Sequence, residues 1–362
     1  MGRRGRALKR RGLLLGLAAV IAAAVAAVGW LLLVYPRTPA PGERRHVVVE
    51  VADPPEVDVV AEDLEAAGVV DDARLFATYL RVRGAARRLR TGSILLATGL
   101  TPQQVARRLV AGERGEPVRV TIPEGLNRFE IGARLMEAGV CTRRAFLRAS
   151  ALPAPGVEGA TSAEGYLFPD TYEFRQNSDP AEVVRRMVDN HRRRTAPLFE
   201  RHAEGLRALR ESLGFGRREV IVLASVVEEE AAVADERPVI AGVFLNRLRS
   251  DTFRPRHRLQ ADPTVAYGCL AARSVAPSCA SFDGRLTRAM LDDPANPYNT
   301  YRHGGLPPGP ITNPGLAAIE AVLDPAEHDF LYFVARGGGR HHFSAALDAH
   351  NRAVDRFIRS GD

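Results

Sequence analysis

After Lys9 this 362-residue chain contains no lysine. A Walker-type phosphate loop and a Schiff-base enzyme both need one, so the body of the chain is disfavoured for either chemistry. Cysteine is scarce too. Cys269 and Cys279 are close enough in sequence to close one loop, which leaves Cys141 over, and no Cys-x-x-Cys pair gives zinc spacing. Histidine supplies no metal motif: His341, His342 and His350 lack an i, i+4 pair, and there is no HExxH. No metal or other cofactor is expected.

Basic charge is present but lopsided. Arg3, Arg4, Arg6, Lys9, Arg10 and Arg11 supply most of the formal net charge of +7. The remainder is close to neutral, so no nucleic-acid partner is expected, and the arginines at 192–194 read as a solvated helix face. Residues 12–34, GLLLGLAAVIAAAVAAVGWLLLV, carry no charge at all. As a helix they span roughly 34 Å, enough to cross a bilayer and longer than the apolar core of a cleaved signal. Six basic residues before this span orient the N-terminus inward. The expectation is a cytoplasmic basic tail (1–11), a single-pass inner-membrane anchor (12–34), a Pro-rich linker (35–45) and an extracytoplasmic body.

That body repeats itself. "DLEAAGVVDDARLFATYL" (63–80) lines up with "RLMEAGVCTRRAFLRASA" (134–151), each a helix ending at a glycine followed by a second short helix. "VVVEV" (47–51) and "VRVTI" (118–122) lead the copies as strands. "GSILLATGLTPQQVARRL" (92–109) answers "GYLFPDTYEFRQNSDPAEVVRRM" (165–187), with Thr101 and Asp179 as N-caps before a first-turn proline. Two strand-helix-helix-strand modules follow, at 46–115 and 118–190. From 216 to 362 the pattern changes to a separate core, beginning with an apolar helix over 219–231 and a second helix over 236–249.

The first of those helices ends in "VVEEEAAVADERP". At about 100° per residue, Val220, Leu223, Ala224, Val227 and Ala231 form a stripe that Ile221 and Val226 widen, so the helix is mostly buried. Ser225 and Glu229 share the polar edge, making Glu229 an ordinary solvated charge. Glu228 and Glu230 flank apolar neighbours, where desolvation would keep a proton available for general-acid work. Glu236 reads as a first-turn charge behind an Asp235 N-cap. Helical phase leaves Glu228 and Glu230 both open.

Several stretches resemble the MltG (YceG-like) family of endolytic murein transglycosylases. They are "IPEG" (122–125), "EGYLFPDTYEF" (164–174), "ASVVEEE" (224–230), "ERPVIAGVFLNRL" (236–248), "RLQADPTVAYG" (258–268), "NPYNTY" (296–301), "GLPPGPITNPG" (305–315) and "YFVARGGGRHHFS" (332–344). They occur in the family's order across nearly the whole body. The chain departs from the family at Glu229, often lysine, at Ala231, often threonine, and in a longer loop at 249–257. The resemblance implies an α+β fold: an N-terminal transmembrane helix, a LysM-like module (46–115) and a mixed α+β transglycosylase domain (118–362).

It further implies that Glu228 is the catalytic residue. It would protonate the glycosidic oxygen between N-acetylmuramic acid and N-acetylglucosamine, then take the C6 hydroxyl proton to leave a 1,6-anhydro end. Peptidoglycan glycan strands are the implied partner, with peptidoglycan synthases as a second. Glu230, Gln260, Asp262, Thr264, Tyr267, Asn299 and Tyr301 are the expected substrate-binding residues. A hydrolase using water, or a non-catalytic wall-binding scaffold, are the rival classes.

Overall fold

The computed structural model describes residues 2–111 and 115–359, with side chains in the first helix described from residue 16 onward. The basic side chains of 1–11 lie outside the described residues. Helix α1 (Gly2–Leu33) carries one span, Gly16–Arg37, long and apolar enough to cross a membrane. Leu17, Val20, Ile21 and Val25 on it are exposed.

The chain divides into two compact units, the first comprising Met1–Val118, Leu135–Thr142 and Arg175–Ser178. Within it run β1 (His46–Val51), α2 (Val57–Ala66), α3 (Ala73–Val82), β2 (Gly92–Ala97) and α4 (Pro102–Ala111). β1 and β2 pair antiparallel from His46 opposite Ala97 to Val51 opposite Gly92. Val49, Val51, Leu64, Phe76, Leu80, Leu96 and Leu109 fill the core beneath them. Thr101 and Gln104 form the reciprocal cap that the Thr-Pro signal predicts, the Gln104 N–H reaching the Thr101 hydroxyl at 3.3 Å.

The second copy repeats the element order: β3 (Pro117–Ile122), α5 (Arg128–Glu137), α6 (Arg143–Ser150), β4 (Asp170–Arg175) and α7 (Pro180–Arg201). β3 pairs with β4, and Asp179 caps α7 by accepting the Ala181 N–H at 2.9 Å. Of this copy, Leu135–Thr142 and Arg175–Ser178 fall in the first unit and the remainder from Arg119 in the second.

The rest of the second unit is built around one helix. After α8 (Ala203–Leu213) comes α9 (Arg217–Glu230), buried at every position from Val220 to Val227. The apolar stripe predicted on it is present, but Ser225 is a correction: it is wholly buried, and its hydroxyl accepts the Ile311 N–H at 3.0 Å. Around α9 pack α10 (Arg237–Arg249), α11 (Asp262–Ala271) and, after the short α12 (Arg288–Asp292), α13 (Leu316–Leu323). Cys269 and Cys279 are joined as a disulfide. The antiparallel hairpin β5 (Tyr332–Gly337) and β6 (Arg340–Ser344), followed by α14 (Leu347–Val354), completes the unit.

The start of α10 differs from the expectation. Asp235 is not its N-cap; it lies in a 3-10 turn, with Arg340 3.0 Å away. Glu236 is itself the N-cap residue, without a side-chain capping bond. It is buried and accepts both the backbone N–H of His341 at 3.1 Å and its ring Nδ1–H at 2.8 Å. The helix starts within a residue of where the local signal places it, but the Glu236 carboxyl answers to β6.

One buried carboxyl ties the segments together. Glu164 is 1% exposed and accepts the Arg128 N–H and the Tyr267 hydroxyl, each at 3.0 Å, and the Asn313 amide at 2.7 Å. Asn313 in turn accepts the Leu167 N–H at 2.8 Å and donates to Leu126 O. Burial pushes the Glu164 carboxyl up from 4.5 to about 7, against the pull of its donors.

Two outcomes follow. Leu223 is fully buried on α9; Leu223→Ala is expected to lower unfolding free energy by about 3 kcal/mol, read from the urea midpoint of the detergent-solubilised chain. Because folded Glu164 holds its proton up to about 7 while the unfolded group loses it near 4.5, stability falls as pH rises through that window. The slope approaches about 1.4 kcal/mol per pH unit, and Glu164→Gln is expected to flatten it in urea titrations across the same range.

Candidate active site

The last turn of α9 presents its three carboxylates to three different surroundings. The Glu228 side chain is 5% exposed and lies between two donors. Arg237, the first residue of α10, donates from Nη2 to Oε1 at 2.9 Å, and the backbone N–H of Gly315 donates to Oε2 at 2.9 Å. Gly315 is the N-cap of α13, so the positive end of a second helix also faces this carboxyl.

Gly315 has an ordinary φ of −76° and needs no glycine for its backbone. It needs one for space. A Cβ there would fall 1.9 Å from Oε1 of Glu124, whose carboxyl fills the place a side chain would take. Burial pushes the Glu124 carboxyl up, the Glu228 charge adds to this, and Arg237 opposes it. The next residue, Gly125, has φ +83°, a conformation that favours glycine, and a Cβ on it would touch Glu228 Cγ at 3.9 Å and Glu229 Oε1 at 3.6 Å. The "IPEG" loop therefore lies directly against the end of α9.

Glu229 is exposed, as helical phase predicts, but it is not an ordinary surface charge. Partial desolvation of its carboxyl, then the Glu130 charge and last the Glu228 charge, push it up to about 7, while the Thr312 hydroxyl pulls the other way. Its open face leaves solvent to screen those charges.

Glu230 faces the opposite side. Burial and then the Asp262 charge push it up to about 7, opposed by Arg247. Arg247 is itself buried, donates to Leu331 O at 2.7 Å and to Leu259 O, and lies over the Phe244, Phe253 and Phe333 rings. Burial lowers it to about 10, still a cation at neutral pH. Asp262 remains exposed and accepts the Tyr301 hydroxyl at 2.6 Å. Gln260, half-buried with φ +52°, donates its backbone N–H to Thr300 O at 3.3 Å.

Of the expected substrate-binding residues, the structure thus brings Glu230, Asp262 and Tyr301 together, and places Gln260 beside Ala261 at the start of α11. Three others are corrected. Thr264 is fully buried, donates to Ala261 O at 2.6 Å and lies 2.9 Å from the Thr300 hydroxyl. Tyr267 is buried with its hydroxyl committed to Glu164. Asn299 is fully buried, and its amide donates to Met290 O, Leu291 O and Asp293 O. These side chains satisfy buried polar groups. Asn246, on α10, donates to His328 O at 2.7 Å.

Sequence reasoning missed Glu124, Arg237 and Glu164. Each sits in a quoted motif, but only the fold shows which carboxyl each one meets. A carboxyl held between a guanidinium and a helix-capping N–H, with a second carboxyl alongside, has the parts for proton transfer to and from one bond.

The profile of the YceG-like family matches residues 49–356. An endolytic murein transglycosylase of Bacillus subtilis is 28% identical over 321 residues, 84% of this chain and 82% of that protein. One from Streptococcus pneumoniae is 25% identical over 346 residues, covering 88% of this chain but only 59% of that longer protein. The crystal structure of a yceG-like protein from Listeria monocytogenes is 26% identical with a TM-score of 0.52, covering 85% of this chain and 98% of that one. With the order of its motifs and a family match across most of its length, this chain belongs to the YceG-like family.

Proposed function

We propose that this protein is a membrane-anchored endolytic lytic transglycosylase acting on peptidoglycan glycan strands. The observation that carries it is the placement of Glu228: a carboxyl at the end of a buried helix, addressed by Arg237 and the Gly315 N–H, in a family whose curated relatives are endolytic murein transglycosylases. The bond cut is the β-1,4 link from N-acetylmuramic acid to N-acetylglucosamine. Glu228 gives a proton to the departing oxygen as the C1–O bond breaks. The C6 hydroxyl of the same muramyl residue attacks C1 and returns its proton to Glu228, leaving a 1,6-anhydro end with no water consumed. Arg237 and the end of α13 orient the carboxyl through both steps.

Gln260, Asp262 and Tyr301, with Glu230 behind them, form the wall that meets the sugar. The β1–β2 module serves as the LysM-like wall-binding element. The Gly16–Arg37 span holds the enzyme in the inner membrane, N-terminus inside and catalytic unit outside. There it terminates strands made by neighbouring synthases.

Digestion of purified, uncrosslinked glycan by the detergent-solubilised chain, with product masses measured, tests this. Anhydro ends, lighter by one water than reducing ends, are expected. Glu228→Gln should lower the rate by about a thousandfold, within the range for losing a general acid and base, while sparing glycan binding. Reducing ends would make the enzyme a hydrolase. Full activity in the variant would remove Glu228 from the mechanism.

A further inference from the structure

Both oxygens of Glu228 accept hydrogen bonds, from Arg237 and from Gly315. A carboxyl that gives a proton to a leaving group must first receive one, and neither of these partners is an acid at neutral pH. Among the neighbouring carboxyls, Glu124 is the one that shares Gly315 with Glu228 and can supply a proton there. The same glycine that donates to Glu228 lacks a side chain where the Glu124 carboxyl sits, 1.9 Å from the position of the missing Cβ. Gly315 therefore meets both carboxyls, one through its N–H and one through its vacant Cβ position.

We infer that Glu124 is a positioning residue of this site, sharing a single proton with Glu228 and holding it between turnovers. This deepens the reading of Glu228 above and rests on it. Between turnovers the shared proton rests on Glu124. When the glycan is bound the proton passes to Glu228 and from there to the glycosidic oxygen as the C1–O bond breaks. The C6 hydroxyl proton goes to Glu228 as the C6–O–C1 bond forms, and then back to Glu124. No proton is consumed and no co-reactant is needed.

The surroundings fit one shared proton. Glu228 and Glu229 face Glu124's loop from α9 and Arg237 faces it from α10, while Glu130 on α5 acts on Glu229. Two neighbouring carboxyls resist ionising together, and the one without a hydrogen-bonded arginine of its own keeps the proton. Glu124 answers to that description: burial and the Glu228 charge both push it up.

A purely structural Glu124 would only support the first turn of α13, and pH–rate profiles separate the two roles. Initial rates of glycan cleavage by the full chain in detergent are measured from about pH 4 to about pH 8.5 for the wild type, Glu124→Gln and Gly315→Ala. Gly315→Ala keeps the N–H on Glu228 and an allowed backbone, but its methyl displaces the Glu124 carboxyl. In both variants the rate at neutral pH is expected to fall about a hundredfold, within the span for a lost acid–base group, with glycan binding retained. The alkaline limb of the profile is expected to move to lower pH, because a carboxyl that holds its proton above the usual carboxylate range has been removed or displaced.

A lowered melting temperature with the alkaline limb unmoved would overturn the inference and leave Glu124 a structural residue. If Glu124→Gln fails to fold, Gly315→Ala alone decides by the same limb. Glu228→Gln run alongside keeps the two readings apart. Activity in that variant rejects the role of Glu228 itself, whereas an inactive Glu228→Gln beside unshifted Glu124 and Gly315 variants rejects only the shared proton.

Discussion

A helix buried at every position from Val220 to Val227 must still end somewhere polar, and that constraint organises the second unit. The last turn of α9 brings three adjacent carboxyls, and burying a carboxyl without partners costs several kcal/mol or forces it to keep its proton. The fold meets the demand in three ways. Glu228 receives an arginine and a helix-capping N–H, Glu229 keeps an open face, and Glu230 lies near the buried cation Arg247. The Arg237 turn, the Gly125 loop and the N-cap of α13 are where they are because those ends need polar company.

Two further buried carboxyls hold these loops in register. Glu164 gathers donors from Arg128, Tyr267 and Asn313, so the stretch after "IPEG", helix α11 and the "PITNPG" loop are pinned to one point. Glu236 does the same for the start of α10, through His341 on β6. Buried polar networks of this kind rigidify a site, and breaking one would move Gly125 and Gly315, the backbone that lies against Glu228.

Much of the fold was legible in the residues. The two strand-helix-helix-strand patterns, the Thr101 and Asp179 caps, and both core helices to within two residues at either end follow from periodicity and capping chemistry, which act over a few residues. Errors arose where a side chain answers to a distant segment. Ser225 lay on the polar edge by phase but is buried against Ile311; Asp235 looked like a cap but lies near Arg340; Thr264, Tyr267 and Asn299 looked like cleft residues but satisfy buried groups.

By itself the sequence determined which helix carries the carboxyls, that this helix is buried, and, through the order of its motifs, the family. Local periodicity encodes such things, because each depends on neighbours one or two turns away. It could not choose between Glu228 and Glu230 by phase, nor point to Glu124 at all. Those differences lie in what faces each carboxyl: Arg237 nine residues on, Gly315 far along the chain, and a loop a hundred residues earlier. A carboxyl's proton affinity is set by the charges and donors within a few ångströms of it, and only the tertiary structure decides which those are.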